Sequence, residues 1–245
     1  QIGAGSGLDS SSASLNALKS QLPASLDLFA DVVRNPAFRM ADIERIRGQW
    51  LAAIAQEKTQ PGSIALRILP PLLYGGNHAY GIPFTGTGTE ASIKSLGAED
   101  LRAFHRDYIR PDNVQILVAG DTTLAEITAE LDRVFGNWDA AEMPIPKKSV
   151  ADVDAQKSAR VFLIDRPDSP QTLILTGALA PSTRTPNNLD IQTMNDVFGG
   201  NFTSRLNMNL REDKHWAYGA SSFLQDAIGQ RPFITYASVQ TDKSA

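Results

Sequence analysis

Leu26-Asp27-Leu28-Phe29-Ala30-Asp31-Val32-Val33-Arg34-Asn35-Pro36 is the stretch from which the rest of the chain can be ordered. Leu26, Phe29, Val32 and Val33 recur at helical spacing, and Asn35-Pro36 ends the pattern because proline disfavours helix in the residue before it. Upstream, Gly3-Ala4-Gly5-Ser6-Gly7 and the Ser10 to Ser14 run lead into regularly spaced Leu15 and Leu18, which reads as a strand and a candidate sheet edge. Downstream, Asp42 can cap a second helix with the stripe Ile43, Ile46, Trp50 and Ile54, interrupted at Pro61-Gly62. A third helix begins near Ser63 and carries Leu66, Leu69 and Leu73.

Tyr74 to Gly88 is rich in Gly, Thr and Pro and reads as a long surface loop. Helix returns near Glu99 and ends at Arg110-Pro111; Val114 to Asp121 then reads as a short strand, and Leu124 to Phe135 as a helix stopped by Gly136. Pro144, Pro146 and Lys147-Lys148, with few large apolar residues around them, mark a boundary. The expected organisation is a first part over 1–140, a linker over 141–158 and a second part over 159–245. That second part is expected to hold strands at Arg160 to Asp165, Thr172 to Leu179, Ala217 to Phe223 and Phe233 to Val239. Between them fall helices at Pro186 to Phe198, with Thr185 as cap, and at Asn201 to Asp213.

The 245 residues are 42% hydrophobic and 20% charged, enough for a sizeable core. With 23 Lys and Arg against 27 Asp and Glu, the net charge of -4 offers no broad attraction to phosphate backbones, so nucleic acid is not expected as a partner. The absence of cysteine excludes thiolate zinc sites, thiol nucleophiles and disulfides, and fits cytoplasm and bacterial periplasm equally. No apolar run approaches the ~20 residues that span a bilayer, so no membrane span is expected. The chain opens on Gln1 and ends mid-pattern at Ala245, which reads as a piece of a longer protein.

The residues show little catalytic machinery of their own. His78, His105 and His215 are far apart and have no partner at metal-ligand spacing, and there is no Gly-x-Ser-x-Gly elbow. Gly199-Gly200-Asn201 could bind an anion through free N–H groups but lacks the Lys-Ser/Thr ending of a phosphate loop; a turn that admits extended peptide is the better reading. Asn201-Phe202-Thr203 matches a glycosylation sequon, a pattern that arises often by chance.

Five blocks nevertheless stand in one order: Asp27 to Phe38, Ile43 to Ile54, His78 to Pro83, Ile109 to Asn113 and Val118 to Asp121. In order and spacing they resemble the repeat of the M16 zinc metallopeptidases, the family of insulinase, pitrilysin and mitochondrial processing peptidase. Phe198-Gly199-Gly200, Ser204-Arg205-Leu206, Leu210-Arg211-Glu212 and Ala217-Tyr218 resemble the start of the following repeat. The resemblance implies an α+β fold, each repeat an antiparallel-rich sheet with helices on one face.

Members of that family hold zinc with two histidines of an inverted His-x-x-Glu-His helix and a distal glutamate. This sequence has no such motif, which the resemblance would place upstream of Gln1. The active pattern also puts two acids seven residues apart on the second helix, where this chain has Ile46 and Ala53. Neither can donate an oxygen; Glu44 and Glu57 fall out of register and read as solvated helix charges. The resemblance therefore implies a non-catalytic half, without zinc of its own, that closes the substrate chamber of a catalytic half carrying the zinc, whether fused or separate. In that half an arginine and a tyrosine seven residues apart reach across the chamber to the peptide, and Arg211 and Tyr218 match the spacing, with Gly199 and Gly200 as further candidates for substrate contact. The plainer alternative pairs Arg211 with Glu212 or Asp213 and packs Tyr218 on a strand face. The rival function is a non-proteolytic structural or binding subunit with the same fold. Family habit points to the periplasm.

Overall fold

The computed structural model describes residues 1–154 and 156–244; the expected linker and the expected second part each include one position, Ala155 and Ala245, outside that range. It divides into two compact units that do not follow chain order: 1–53 with 90–148, and 54–89 with 149–245. The break at 148/149 falls inside the 141–158 stretch, whereas 54–89 groups with the later residues.

In the first unit the opening glycines and serines form a two-stranded antiparallel hairpin, β1 (Ile2–Ser6) with β2 (Ser11–Leu15), in register from Ile2 opposite Leu15 to Ser6 opposite Ser11. Helix α1 (Leu22–Arg34) buries Leu26 and Ala30 against Val134 of α6 (Leu124–Phe135), with Leu15, Leu22, Leu131 and Phe135 around them. Phe29 and Phe135 meet edge to face at 6.5 Å. The helix that begins beyond Asn35-Pro36, α2 (Met40–Glu57), starts two residues earlier than its expected cap, so Asp42 lies in its first turn. A short α4 (Glu90–Ser95) precedes α5 (Ala98–Tyr108) and is held by Arg47, which donates to the carbonyls of Ile93 and Leu96. His105 of α5 bonds the Val33 carbonyl at 2.7 Å. Buried Arg110 chelates Asp112 and donates to the carbonyls of Ala141 and Met143, so the proline-containing segment is anchored where it begins.

In the second unit α3 (Pro61–Tyr74) begins with proline at its first position, where the missing N–H costs nothing. Its Leu69 lies so close to β3 (Gln171–Ala180) that a Cβ on Gly177 would stand 2.8 Å from the leucine. The sheet order is β3-β5-β4, with β4 over Ala217–Leu224 and β5 over Arg231–Gln240, all antiparallel. Helix α7 (Asn188–Asn195) and a short α8 (Arg205–Asn207) each continue as a π-helical turn, Asp196–Gly200 and Met208–Asp213. Leu206 and Leu210 cover Ala220, Ala237 and Val239, so within 159–245 the helices share one sheet face; α3, from before the linker, meets the face of Ile234, the cross-strand partner of Gly177.

Four local expectations change. Asn187 and not Thr185 occupies the N-cap position of α7. Residues 201–204 are a turn and not the first turn of a helix. Glu57 is not a solvated charge: it pairs with Arg67 at 2.6 Å and accepts from Thr87 at 2.8 Å, in a network through which Arg67 also holds the Gly88 carbonyl. The strands expected at Val114 to Asp121 and Arg160 to Asp165 have no ladder among the described residues, and a strand without a partner cannot close its backbone hydrogen bonds.

Candidate functional site

The structure brings Arg211 and Tyr218 together. Arg211 sits in the π-helical turn after α8, and the chain then reverses through His215, whose φ of 56° is in the left-handed region. Trp216 locks this reversal to the end of β5: its N–H donates to the Leu210 carbonyl, and its carbonyl accepts from the Gln240 N–H, each at 3.0 Å. The β4–β5 register slips between Ala217 and Ala220. In that irregularity Tyr218 turns outward, 84% exposed, and its hydroxyl makes no hydrogen bond among the described residues.

The Arg211 guanidinium carbon lies 4.6 Å from the ring centre of Phe202 and 4.9 Å from that of Tyr218, stacked against both. Its Nε pairs with Glu212 at 3.1 Å, which realises part of the plainer alternative. The terminal nitrogens keep no protein partner among the described residues, so the forked edge of the cation remains able to donate. Tyr218 does not pack on the strand face. The pair borders an open depression of about 470 Å³, floored by Gln171 and Gln240, which face each other across β3 and β5.

Two residues that the spacing argument does not reach hold this arrangement. Phe202 supplies the second ring. Asn207 is buried; its amide donates to the Phe202 carbonyl at 2.7 Å and its oxygen accepts from the Ala220 N–H at 3.1 Å. One side chain thus ties the turn carrying Phe202 to β4 just beyond the slip that exposes Tyr218. The signal for it is a polar residue set within the apolar stripe of Leu206 and Leu210.

Gly199 and Gly200 do not join the pair. A Cβ on Gly199 would stand 2.4 Å from Ser222 Oγ, and one on Gly200 2.7 Å from Asn195 Nδ2. Glycine here lets the end of α7 close on β4, and Ser222 fixes the contact by donating to Asn195 at 2.7 Å. What Gly199 admits in this geometry is the protein's own strand, while Gly200 lies against Asn195 and Asp196 at the end of its own helix.

Ile46 is exposed and Ala53 half-buried on α2, two turns apart, and neither offers a donor atom. The residues at the acid positions therefore do not fit zinc. A larger depression of about 700 Å³, near Pro181, Arg184 and Gly229, lies at the opposite end of the sheet from Arg211.

Residues 95–245 match the family described as the peptidase M16 inactive domain. An uncharacterized zinc protease of Bacillus subtilis, YmxG, is 27% identical over 198 residues, 81% of this chain and 46% of the relative. The crystal structure of a peptidase M16 inactive domain from Pseudomonas fluorescens superposes with a TM-score of 0.81 at 27% identity, over 100% of this chain and 58% of that one. A chain of complex III2 from Candida albicans shares the fold, with a TM-score of 0.75 at 14% identity, over 98% of this chain and 57% of that one. The chain spans about half the length of the curated relatives it matches. With more than half of its residues matched by the family, this α+β chain belongs to the peptidase M16 family.

Proposed function

We propose that these residues form part of the non-catalytic half of a zinc-dependent endopeptidase, and that Arg211 and Tyr218 hold the peptide substrate at the edge of its chamber. The observation that carries this reading is the Arg211 guanidinium stacked on Phe202 and Tyr218 with its donor edge and the Tyr218 hydroxyl both directed to no protein acceptor among the described residues. A planar cation held flat by two rings keeps little rotamer freedom, so donation to a peptide carbonyl costs less ordering entropy than from a free arginine. A phenol beside it adds a second donor to the same carbonyl or its neighbour. Donors fixed where negative charge develops on the scissile carbonyl lower the barrier most.

Zinc belongs to the catalytic half in this reading. The relatives' names support a zinc protease, and the donor-free Ile46 and Ala53 support its location elsewhere. The complete protein, or this half mixed with its His-x-x-Glu-His partner, is compared with Arg211→Ala and Tyr218→Phe variants for peptide cleavage and zinc content. Each variant is expected to lose about 100-fold in turnover, the scale of one transition-state donor, with zinc unchanged. Normal cleavage by both would make the pair structural. The complex III2 likeness supports a second reading, a non-proteolytic subunit, which absence of cleavage by the zinc-loaded wild type would favour.

A further inference from the structure

His215 holds a backbone conformation that favours a different residue. Its φ of 56° lies in the left-handed region, where a Cβ crowds the following carbonyl and glycine is the unstrained choice. The side chain is exposed, so burial does not offset the strain. Phe38, Asp168 and His215 are the non-glycine residues with positive φ among the described residues, and His215 is the one that borders the depression beside Arg211 and Tyr218. Strain kept at the rim of a binding site points to work done by the side chain.

The two ring nitrogens differ. Nδ1 lies 3.0 Å from the Arg211 carbonyl oxygen, and a carbonyl only accepts, so Nδ1 carries the proton. In the neutral ring Nε2 is then an acceptor, and it has no protein partner among the described residues. Arg211 can only donate, and its terminal nitrogens and the Tyr218 hydroxyl are the donors of this site. An extended peptide presents carbonyls and N–H groups in alternation, so a surface that grips its main chain needs an acceptor beside its donors.

We propose that His215 is a third peptide-contacting residue of the Arg211 and Tyr218 site, its neutral Nε2 accepting a main-chain N–H of an extended substrate while its Nδ1–H holds the Arg211 backbone. This rests on the reading of Arg211 and Tyr218 as substrate contacts. A main-chain contact is blind to side-chain sequence and forms equally before and during the reaction, so it acts on KM and leaves kcat alone. Protonation turns Nε2 into a donor with no lone pair for the N–H, so the grip weakens as pH falls. The charged and titratable neighbours are Arg211, Glu212, Asp213 and Lys214 on its own segment and Tyr218 on β4, with Asp242 and Lys243 paired to each other just past β5; β3 and β5 bring neutral Gln171 and Gln240.

The test is cleavage of an unstructured peptide by the complete zinc-loaded protein, comparing wild type with His215→Asn and His215→Gln. Asparagine tolerates positive φ and can place an amide N–H where Nδ1 stood, with no atom at Nε2; glutamine reaches the Nε2 position with an amide oxygen. At about pH 8 the asparagine variant is expected to raise KM about fivefold with kcat and Tm near wild type, and glutamine to recover much of that loss. On acidification to about pH 5.5 the wild-type KM should climb toward that of the asparagine variant, whose own profile carries whatever other groups contribute. If asparagine lowers Tm, His215→Gly, which relieves the backbone, takes its place in the comparison. Wild-type KM in these variants at the higher pH reduces His215 to a backbone clamp and overturns the inference, as does a wild-type KM that falls with acid relative to the variant. Those results beside lost turnover in Arg211→Ala overturn this inference alone; full activity in the Arg211, Tyr218 and His215 variants together overturns the substrate reading of the whole site.

Discussion

Asn207 reaches both sides of the Arg211 clamp with one amide, through the Phe202 carbonyl and the Ala220 N–H. Asn207→Ala leaves both groups without their partner in a buried place, and the expected loss is about 2 kcal/mol of stability, measured by urea unfolding. Turnover of the complete protein should fall with zinc content unchanged, because Phe202 and Tyr218 lose their common anchor. Phe202→Ala removes one of the two rings beside Arg211 and keeps the fold. A stacked cation of this exposure is worth about 0.5–1 kcal/mol, so cleavage should slow roughly two- to fivefold; an unaltered rate would show that Tyr218 alone positions the arginine. Gly199→Ala drives a methyl into Ser222 and should cost about 1–3 kcal/mol in thermal unfolding without touching the cation. Asn207 is legible in the sequence only as an oddity, a polar residue between leucines. What it bonds depends on a strand more than ten residues away, as shown by the partner Ala220.

At the scale of elements, α6 carries its own start signal. The Thr123 hydroxyl accepts from the Glu126 N–H at 3.3 Å, and the Glu126 carboxylate accepts from the Thr123 N–H at 2.9 Å, a reciprocal pair that Thr-x-x-Glu announces in sequence. The Thr123 backbone N–H, foremost, holds the Glu126 carboxyl below its ordinary value of 4.5. Because the folded value is depressed, the cap contributes fully above about pH 4.5 and is lost as pH falls through the lower folded value. Arg110 acts likewise on Asp112, whose ordinary value is 3.8. Stability followed by circular dichroism from pH 6 to pH 3 should therefore decline at the acid end, and Thr123→Ala with Glu126→Gln should flatten the Glu126 part of that decline. The Glu57–Arg67 pair is different in kind. No pattern in α2 announces it, since the partner and the threonines it organises come from α3 and from the loop near residue 87. Removing Arg67 strands a largely buried carboxylate, and a loss of about 3 kcal/mol with faster proteolysis of the 83–88 loop is expected.

Across the whole molecule, catalysis is expected to be divided. The complete non-catalytic half alone should not cleave peptide, and mixing it with the His-x-x-Glu-His half should give zinc-dependent cleavage; metal-independent cleavage by the non-catalytic half alone would sink the assignment. Local sequence determined most of the helices and the strands of the β3-β5-β4 sheet, because periodicity, prolines and caps act within a few residues. It also determined the family, through blocks in fixed order, and the absence of donors at Ile46 and Ala53, which is a matter of side-chain chemistry alone. Tertiary structure decided that Glu57 is paired with Arg67 and largely buried, that Gly199 is spacing for β4, and that the runs at 114–118 and 161–164 have no strand partner among the described residues. It also decided that Arg211 leans on Phe202 and Tyr218 together. Each of these depends on a contact between segments distant in the chain, and a contact of that kind has no local period or cap to announce it.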